Sequence, residues 1–382
     1  MVTIPAVVET CDIGAQAGAP VSEDYGPLGN QFSGTEQTAM YLSYEPITLT
    51  LETPFRIAHG TSQARHNVLV RIGDGEREGL GEAAPVHQHH ETQALVLDYL
   101  ATLGEGWPAT DDPFQLEENL AALPPGPQSA RAALDIALHD LVGQKLGQPL
   151  YRLFGLSPER APQTSFTIGL GTVEEVGAKA RAAAGDFSIL KLKLGQDTEQ
   201  ALALVRAARA VTDARLVADA NCAWTPDQAS QLLPALADLG LEWIEQPLPE
   251  EDLDGLRRIQ RTSLLPIFAD EPVRTACDIP RLADCVDGVN IKLHKAGGLR
   301  EAVRMIAVAR AHGLQVMLGC MVETSVGVTA AAHLASLVDW ADLDGNLLVT
   351  NDPFVGLRIE GGRLILPAGP GLGIAPRPST HA

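Results

Sequence analysis

The chain has 382 residues, 45% of them apolar, and carries 28 Lys and Arg against 48 Asp and Glu, a formal net charge of −20. So acidic a balance argues against a nucleic-acid partner, which needs a basic face for phosphate, while the length and apolar content suit either two domains or one large barrel with an addition. The five cysteines (Cys11, Cys222, Cys277, Cys285, Cys320) are odd in number and form no CxxC pair, no apolar run approaches the roughly 18 residues of a membrane helix, and the start has no basic, apolar leader. The expectation is a soluble cytoplasmic protein with reduced thiols and no membrane partner.

Residues 1–40 are rich in Gly, Ala, Pro, Thr and acidic residues with no period of helix or strand, and read as a disordered extension; Met40, just before the first convincing strand, is an alternative start. From Tyr41 the runs YEPITLTLE, TPFRIAHG and HNVLVRIGDGEREGLGEAAP read as antiparallel strands, with hairpin-turn chemistry at GDGEREG. Helical patterns follow near 91–104, 113–123 and 127–146, the last with Ala, Leu and Ile on one face and a terminal Gly. Residues 41–160 thus form an α+β capping unit. From 161 to 355 short apolar runs alternate with helical stretches such as EQALALVRAARAVTDA and PDQASQLLPALADLG, the beat of a parallel βα barrel; 356–382 return towards the capping unit.

Five of the barrel runs end in chemistry: SILKLKL at Lys193, RLVADAN at Asp219, LEWIEQP at Glu245, LPIFADEP at Asp270 and GVNIKL at Lys292. Polar residues at the carboxyl ends of barrel strands converge on one mouth. Asp219, Glu245 and Asp270 are the hard-oxygen set that Mg²⁺ takes, with Asn221 on the face of Asp219 to orient it. Lys191 and Lys193, about 7 Å apart on the inward face, are expected to depress each other's pKa and make a general base. Lys292 lies almost across the mouth from Lys193. A carbon held between two amines suits removal of a proton on one side and its return on the other, with the cation and Lys191 stabilising the enediolate. Glu271 has the opposite parity to Asp270, so either the strand has ended or the side chain points outward.

The ordered set KLKLG, DAN, EQP, ADEP and NIKLHKAGG resembles the muconate-lactonizing subgroup of the enolase superfamily over about residues 41–375, and GCMVETSVGVTAAAHLA with DLDGNLLVTNDPF resembles its dipeptide epimerases. The resemblance implies a modified (β/α)₇β TIM barrel with an N-terminal α+β cap, Lys193 and Lys292 as bases, Asp219, Glu245 and Asp270 as Mg²⁺ ligands, and Lys191 as carboxylate partner. It also implies that Asp342 and Asp344 receive a dipeptide's α-ammonium. Glu323 lines the same mouth or sits in the loop after the seventh strand. The implied activity is inversion of the Cα of the C-terminal residue, in a homo-oligomer; alternatives are a succinylbenzoate synthase or N-acylamino acid racemase, a muconate cycloisomerase, or a barrel that only binds its ligand. Members acting on Ala-Glu carry an arginine in the first capping loop, and HGTSQ at 59–63 has none, although Arg56 and Arg65 flank it.

Weaker signals remain. His87, Gln88, His89 and His90 fall in the second lid loop and read as a polar, mobile lid rather than a metal site. Gly297 and Gly298, before a helix, receive an anion at its N-terminus or simply make a tight turn. GPGLG at 369–373 lacks the context of a dinucleotide site, and Cys222 has no histidine partner.

Overall fold

The computed structural model describes residues 40–58, 60–104, 107 and 112–378. The extension expected over residues 1–39 lies outside them, as does Cys11. Met40 is described, and it is buried in the capping core rather than part of an extension.

The capping sheet is antiparallel, β1 (Tyr41–Ile57), β2 (Gly60–Gly73) and β3 (Glu78–Ala83) in that order, with a register shift between Thr50 and Phe55. Helices α1 (Gln93–Leu103), α2 (Leu116–Ala121) and α3 (Gln128–Leu146) cover it. Helix α3 is buried on nearly every side from Ser129 to Gly143, not on the single face its pattern suggests. It is clamped between the sheet and the barrel, so no stripe is left for solvent. The close approach depends on small residues. A Cβ at Gly79 or Gly81 would run into the backbone oxygens of Ala137 and Ala133 on α3.

After a single helical turn, α4 (Leu150–Leu153), the barrel begins. Its strands are β4 (Phe166–Ile168), β5 (Ile189–Lys193), β6 (Arg215–Asp219), β7 (Leu241–Glu245), β8 (Ile267–Ala269), β9 (Gly288–Lys292), β10 (Gln315–Gly319) and β11 (Trp340–Asp342). They pair in chain order, all parallel, and a parallel bridge between Thr164 and Ala341 closes the ring. The connections are α5 (Val173–Ala183), α6 (Thr198–Arg209), α7 (Pro226–Asp238), α8 (Leu253–Gln260), the short α9 (Ile279–Leu282), the pair α10 (Leu293–Ala296) and α11 (Leu299–Ala311), and α12 (Ser325–Ala332). This is the expected (β/α)₇β barrel. Helix starts carry the chemistry that fixes them: Thr172 with Glu175, and Thr225 with Gln228, form reciprocal capping boxes.

Alternation along the strands divides the interior. Ile189, Val217, Trp243, Phe268 and Met317 fill the floor with Trp340 against them, Trp243 packing on Phe268 at 5.0 Å and edge-on to Trp340 at 5.5 Å. Two residues further along the same faces come Lys191, Asp219, Glu245, Asp270 and Asp342. The apolar floor closes one end, so the charged layer opens only to the mouth beneath the cap.

Two barrel helices end on capping-domain carboxylates. Asp135 of α3 accepts from Arg300 N at the start of α11, and Glu82 of β3 accepts from Thr324 N and Gly327 N at the start of α12. Each anion meets the unpaired N–H groups and positive end of a helix dipole. The anion foreseen beyond Gly298 is therefore the chain's own Asp135, which packs so closely that only glycine, at φ +123°, fits there.

Candidate active site

Strands β6, β7 and β8 lie between β5 and β9; β6 and β7 end on Asp219 and Glu245, and Asp270 directly follows β8. Asp219, Glu245 and Asp270 are buried, and one oxygen from each falls within 4.8 Å of the others. Asn221 orients Asp219, its backbone N–H donating to Oδ1 at 2.8 Å and its amide to Oδ2 at 3.2 Å. Asn290 does the same for Glu245, donating to Oε1 at 2.6 Å. Gly319 beside it has no Cβ, which would clash with the Asn290 amide. Burial and repulsion from Asp219 push the Glu245 carboxyl up to about 7.

The lysines reach into the same layer. Lys193 Nζ lies 2.5 Å from Asp219 Oδ2, and Lys292 Nζ lies 2.7 Å from Asp270 Oδ2. Lys191, two residues before Lys193 on β5, lies 2.6 Å from both Glu245 Oε2 and Asp342 Oδ2. The expected mutual depression of Lys191 and Lys193 does not describe Lys191. Burial opposes its charge, but Asp342, Glu245 and Asp219 outweigh that and hold its ammonium well above the ordinary range. Lys292 is raised too, burial being overcome by Asp270 and Glu245. Neighbouring carboxylates, rather than neighbouring amines, decide the sign.

Asp342 accepts from Ser165 Oγ at 2.6 Å as well as from Lys191, and these partners overcome burial to hold it low. Asp344 accepts from Thr167 N at 2.6 Å, and burial with the adjacent Asp342 pushes it up to about 7. Both line the cavity. Glu323 occupies the loop after β10, and of the two placements expected it takes the second. Its oxygens bind the His294 ring and Met321 N, and it is absent from the cavity wall. For Glu271 the first of the two alternatives holds: β8 has ended at Ala269, and the side chain is buried and borders the cavity.

Several participants escape the sequence reading. Lys295 bonds the carboxylate and carbonyl of Asp270 and the carbonyl of Asn290 at 3.3 Å. Its spacing from Lys292 carries the signal only if a helix starts directly after that lysine, as α10 does. Asn290 shares parity with Lys292 and was findable. Ser165 and Thr167 matter only because the barrel closes β4 onto β11, which no local pattern announces.

The cavity above this layer has a volume of about 470 Å³, within the range of small-molecule sites. Its upper wall is the cap: Phe55, Ser62, Arg65 and His66 of the first hairpin, and His87 to His89 of the second loop. That second loop is tied at both ends, Glu91 accepting from Val86 N and from Gln128 N, and the His89 ring contacts Glu271 O at 3.4 Å. Among the described residues the three barrel carboxylates are the one cluster with metal-ligand geometry, so the histidines form no second one.

A parallel (β/α)₇β barrel under an α+β cap, with an acidic triad between two lysine-bearing strands, defines a class of barrel enzymes. Residues 174–380 match the family described as Enolase C-terminal domain-like, and residues 43–155 match the Mandelate racemase / muconate lactonizing enzyme, N-terminal domain. The chain belongs to this mandelate racemase and muconate lactonizing family. It is 40% identical to an L-Ala-D/L-Glu epimerase of Bacteroides thetaiotaomicron over 339 residues, covering 88% of each chain. It is 37% identical to a hydrophobic dipeptide epimerase of Roseobacter litoralis, covering 86% of this chain and 96% of the other. Among solved structures, a dipeptide epimerase of Cytophaga hutchinsonii complexed with Mg and the dipeptide D-Ala-L-Val superposes with a TM-score of 0.85 at 27% identity, over 90% of this chain and 97% of that one.

Proposed function

We propose that the protein is a magnesium-dependent dipeptide epimerase that inverts the Cα of the C-terminal residue by two-base 1,1-proton transfer. The observation that carries this reading is the placement of Lys193 and Lys292 on β5 and β9, on either side of the three strands that carry Asp219, Glu245 and Asp270. The triad fits a divalent cation: Glu245 Oε2 is buried and, although Lys191 is near, makes no aligned hydrogen bond, and three carboxylates this close repel one another. When bound, Mg²⁺ compensates the carboxylates and stabilises the negative charge that develops on a substrate carboxylate as its α-proton leaves.

The chain's own residues supply the rest. Lys193 and Lys292 take the α-proton at one Nζ and return a proton from the other, so the direction of turnover sets which of them starts as free amine. Lys191, kept cationic by its carboxylate neighbours, adds fixed positive charge beneath the reacting group. Asp342 and Asp344 give the cavity an anionic corner for a free α-ammonium, which favours a dipeptide over an N-acylated amino acid. An ammonium placed there would draw Asp344 back below its raised value. The apolar floor keeps water from entering behind the lysines.

The test is proton NMR in D₂O with Mg²⁺ and a dipeptide series, following loss of the C-terminal Cα–H signal. Exchange in free dipeptides supports the reading; exchange confined to N-succinyl amino acids overturns it. Lys193→Ala and Lys292→Ala should each lower inversion by roughly 10³-fold or more, each keeping exchange with at most one enantiomer. Normal turnover by either variant would rule out the two-base scheme.

A further inference from the structure

We infer that Arg65 selects dipeptides bearing an acidic side chain, through an ion pair formed across the cavity wall. This deepens the reading above and rests on it. In a chain with 20 more acidic than basic residues, a cationic side chain facing a cavity normally finds a carboxylate. Arg56, nine residues earlier in the same hairpin, has one, with Glu175 at 4.0 Å. Arg65 has none within ion-pair distance among the described residues. Its guanidinium donates to Ser62 Oγ at 2.8 Å and to no other protein atom in the described structure. It is partly buried, and burial alone lowers its pKa, with no carboxylate acting on it.

The surroundings sharpen the point. Sharing its wall are His66, His87 and His89, none of them within ion-pair distance of a carboxylate among the described residues, while Gln88 and Ser62 add neutral polar groups. Burial, and then the charge of Arg65, disfavour the protonated form of His87. The cap therefore presents one permanent positive charge with four of its five N–H groups unspent. The carboxylates that border the cavity, Asp270, Glu271, Asp342 and Asp344, all belong to the barrel; Asp270 and Asp342 are answered by Lys292, Lys295 and Lys191, and none of the four lies within ion-pair distance of Arg65. A planar guanidinium left desolvated in a ligand cavity is matched by a carboxylate arriving with the ligand, in bidentate geometry. Arg65 sits on β2 in register with Leu49, so its guanidinium is presented from a paired strand.

The experiment compares charge at constant shape. Initial rates of Cα–H exchange in D₂O would be measured with Mg²⁺ for L-Ala-L-Glu against L-Ala-L-Gln, and for L-Glu-L-Ala against L-Gln-L-Ala. The proposal expects kcat/KM to favour the acid by about tenfold or more in one of the pairs, and that ratio to fall towards one in Arg65→Gln. Retention of the ratio in Arg65→Lys but not in Arg65→Gln would assign it to the charge. A ratio near one in both pairs for the wild type, or a ratio that survives Arg65→Gln, overturns the proposal while leaving the epimerase reading intact. Absence of exchange in all four dipeptides, and in hydrophobic and cationic ones, would instead sink the epimerase reading.

Discussion

His333, at the end of α12, shows how a single ring can tie three segments. Its Nδ1 accepts from Tyr151 N at 3.2 Å, so the proton resides on Nε2, which donates to Leu372 O at 3.3 Å. Burial pushes its pKa down to about 4 from an ordinary 6.5, and a protonated ring would also set a donor against the Tyr151 N–H. A base with a depressed folded pKa contributes stability that is present above the unfolded value and lost as the pH falls through the folded one, here between about 6.5 and 4. Over that window the loss amounts to about 3 kcal/mol. Urea titrations at pH 7 and pH 4.5 should show a smaller pH-dependent loss for His333→Gln than for the wild type. An equal loss in both would place the acid sensitivity elsewhere. At the site itself, Asn290→Ala frees Glu245 Oε1 without touching a lysine, and should weaken Mg²⁺ binding by roughly 10–100-fold in calorimetry.

At the scale of elements, helix α3 and strand β3 join the two halves of the molecule. Asp135 and Glu82 place carboxylates against the starts of α11 and α12, and those helices follow β9 and β10. The cap is thereby seated on the side of the barrel that carries Lys292 and the loop with Met321 and Val322, both cavity-lining. Gly298 is the tightest point of this contact. Gly298→Ala combines a clash with Asp135 and an unfavourable φ of +123°, and should cost about 2 kcal/mol or more, read as a lower urea midpoint at unchanged slope. Gly313, also left-handed at φ +73° but with open space around it, isolates the conformational part; the same substitution there should cost about 1 kcal/mol.

For the whole molecule, the dominant electrostatic fact is a buried layer in which Lys191, Lys193, Lys292 and Lys295 face Asp219, Glu245, Asp270 and Asp342. Such a layer is worth little as ion pairs, because desolvation offsets the attraction. Its use is to hold charges in place. A divalent cation that binds the folded triad and not the unfolded chain stabilises by about 2.7 kcal/mol at a hundredfold excess over its Kd. Mg²⁺ should accordingly raise the melting temperature by a few degrees, EDTA should reverse this, and Asp270→Asn should abolish the response. No helix among the described residues is long and apolar enough to cross a membrane.

The primary sequence by itself determined the beat of the barrel and its chemistry. Lys193, Asp219, Glu245, Asp270 and Lys292 each end a short apolar run, and a parallel barrel has one place for such ends to meet. It also carried the small residues of β3, although not their reason: Gly79 and Gly81 are explained only by the helix α3 lying on them. Tertiary structure decided everything that depends on distance between segments far apart in the chain. The charge state of Lys191 follows from Asp342, 151 residues away, rather than from Lys193 two residues away. Glu323 is drawn off the cavity by His294, Ser165 enters the site through closure of the barrel, and Arg65 is left without an anion partner among the described residues. Periodicity is a local property and is written in neighbours. Electrostatics is summed over whatever the fold brings within a few ångströms, and chain order does not encode that sum.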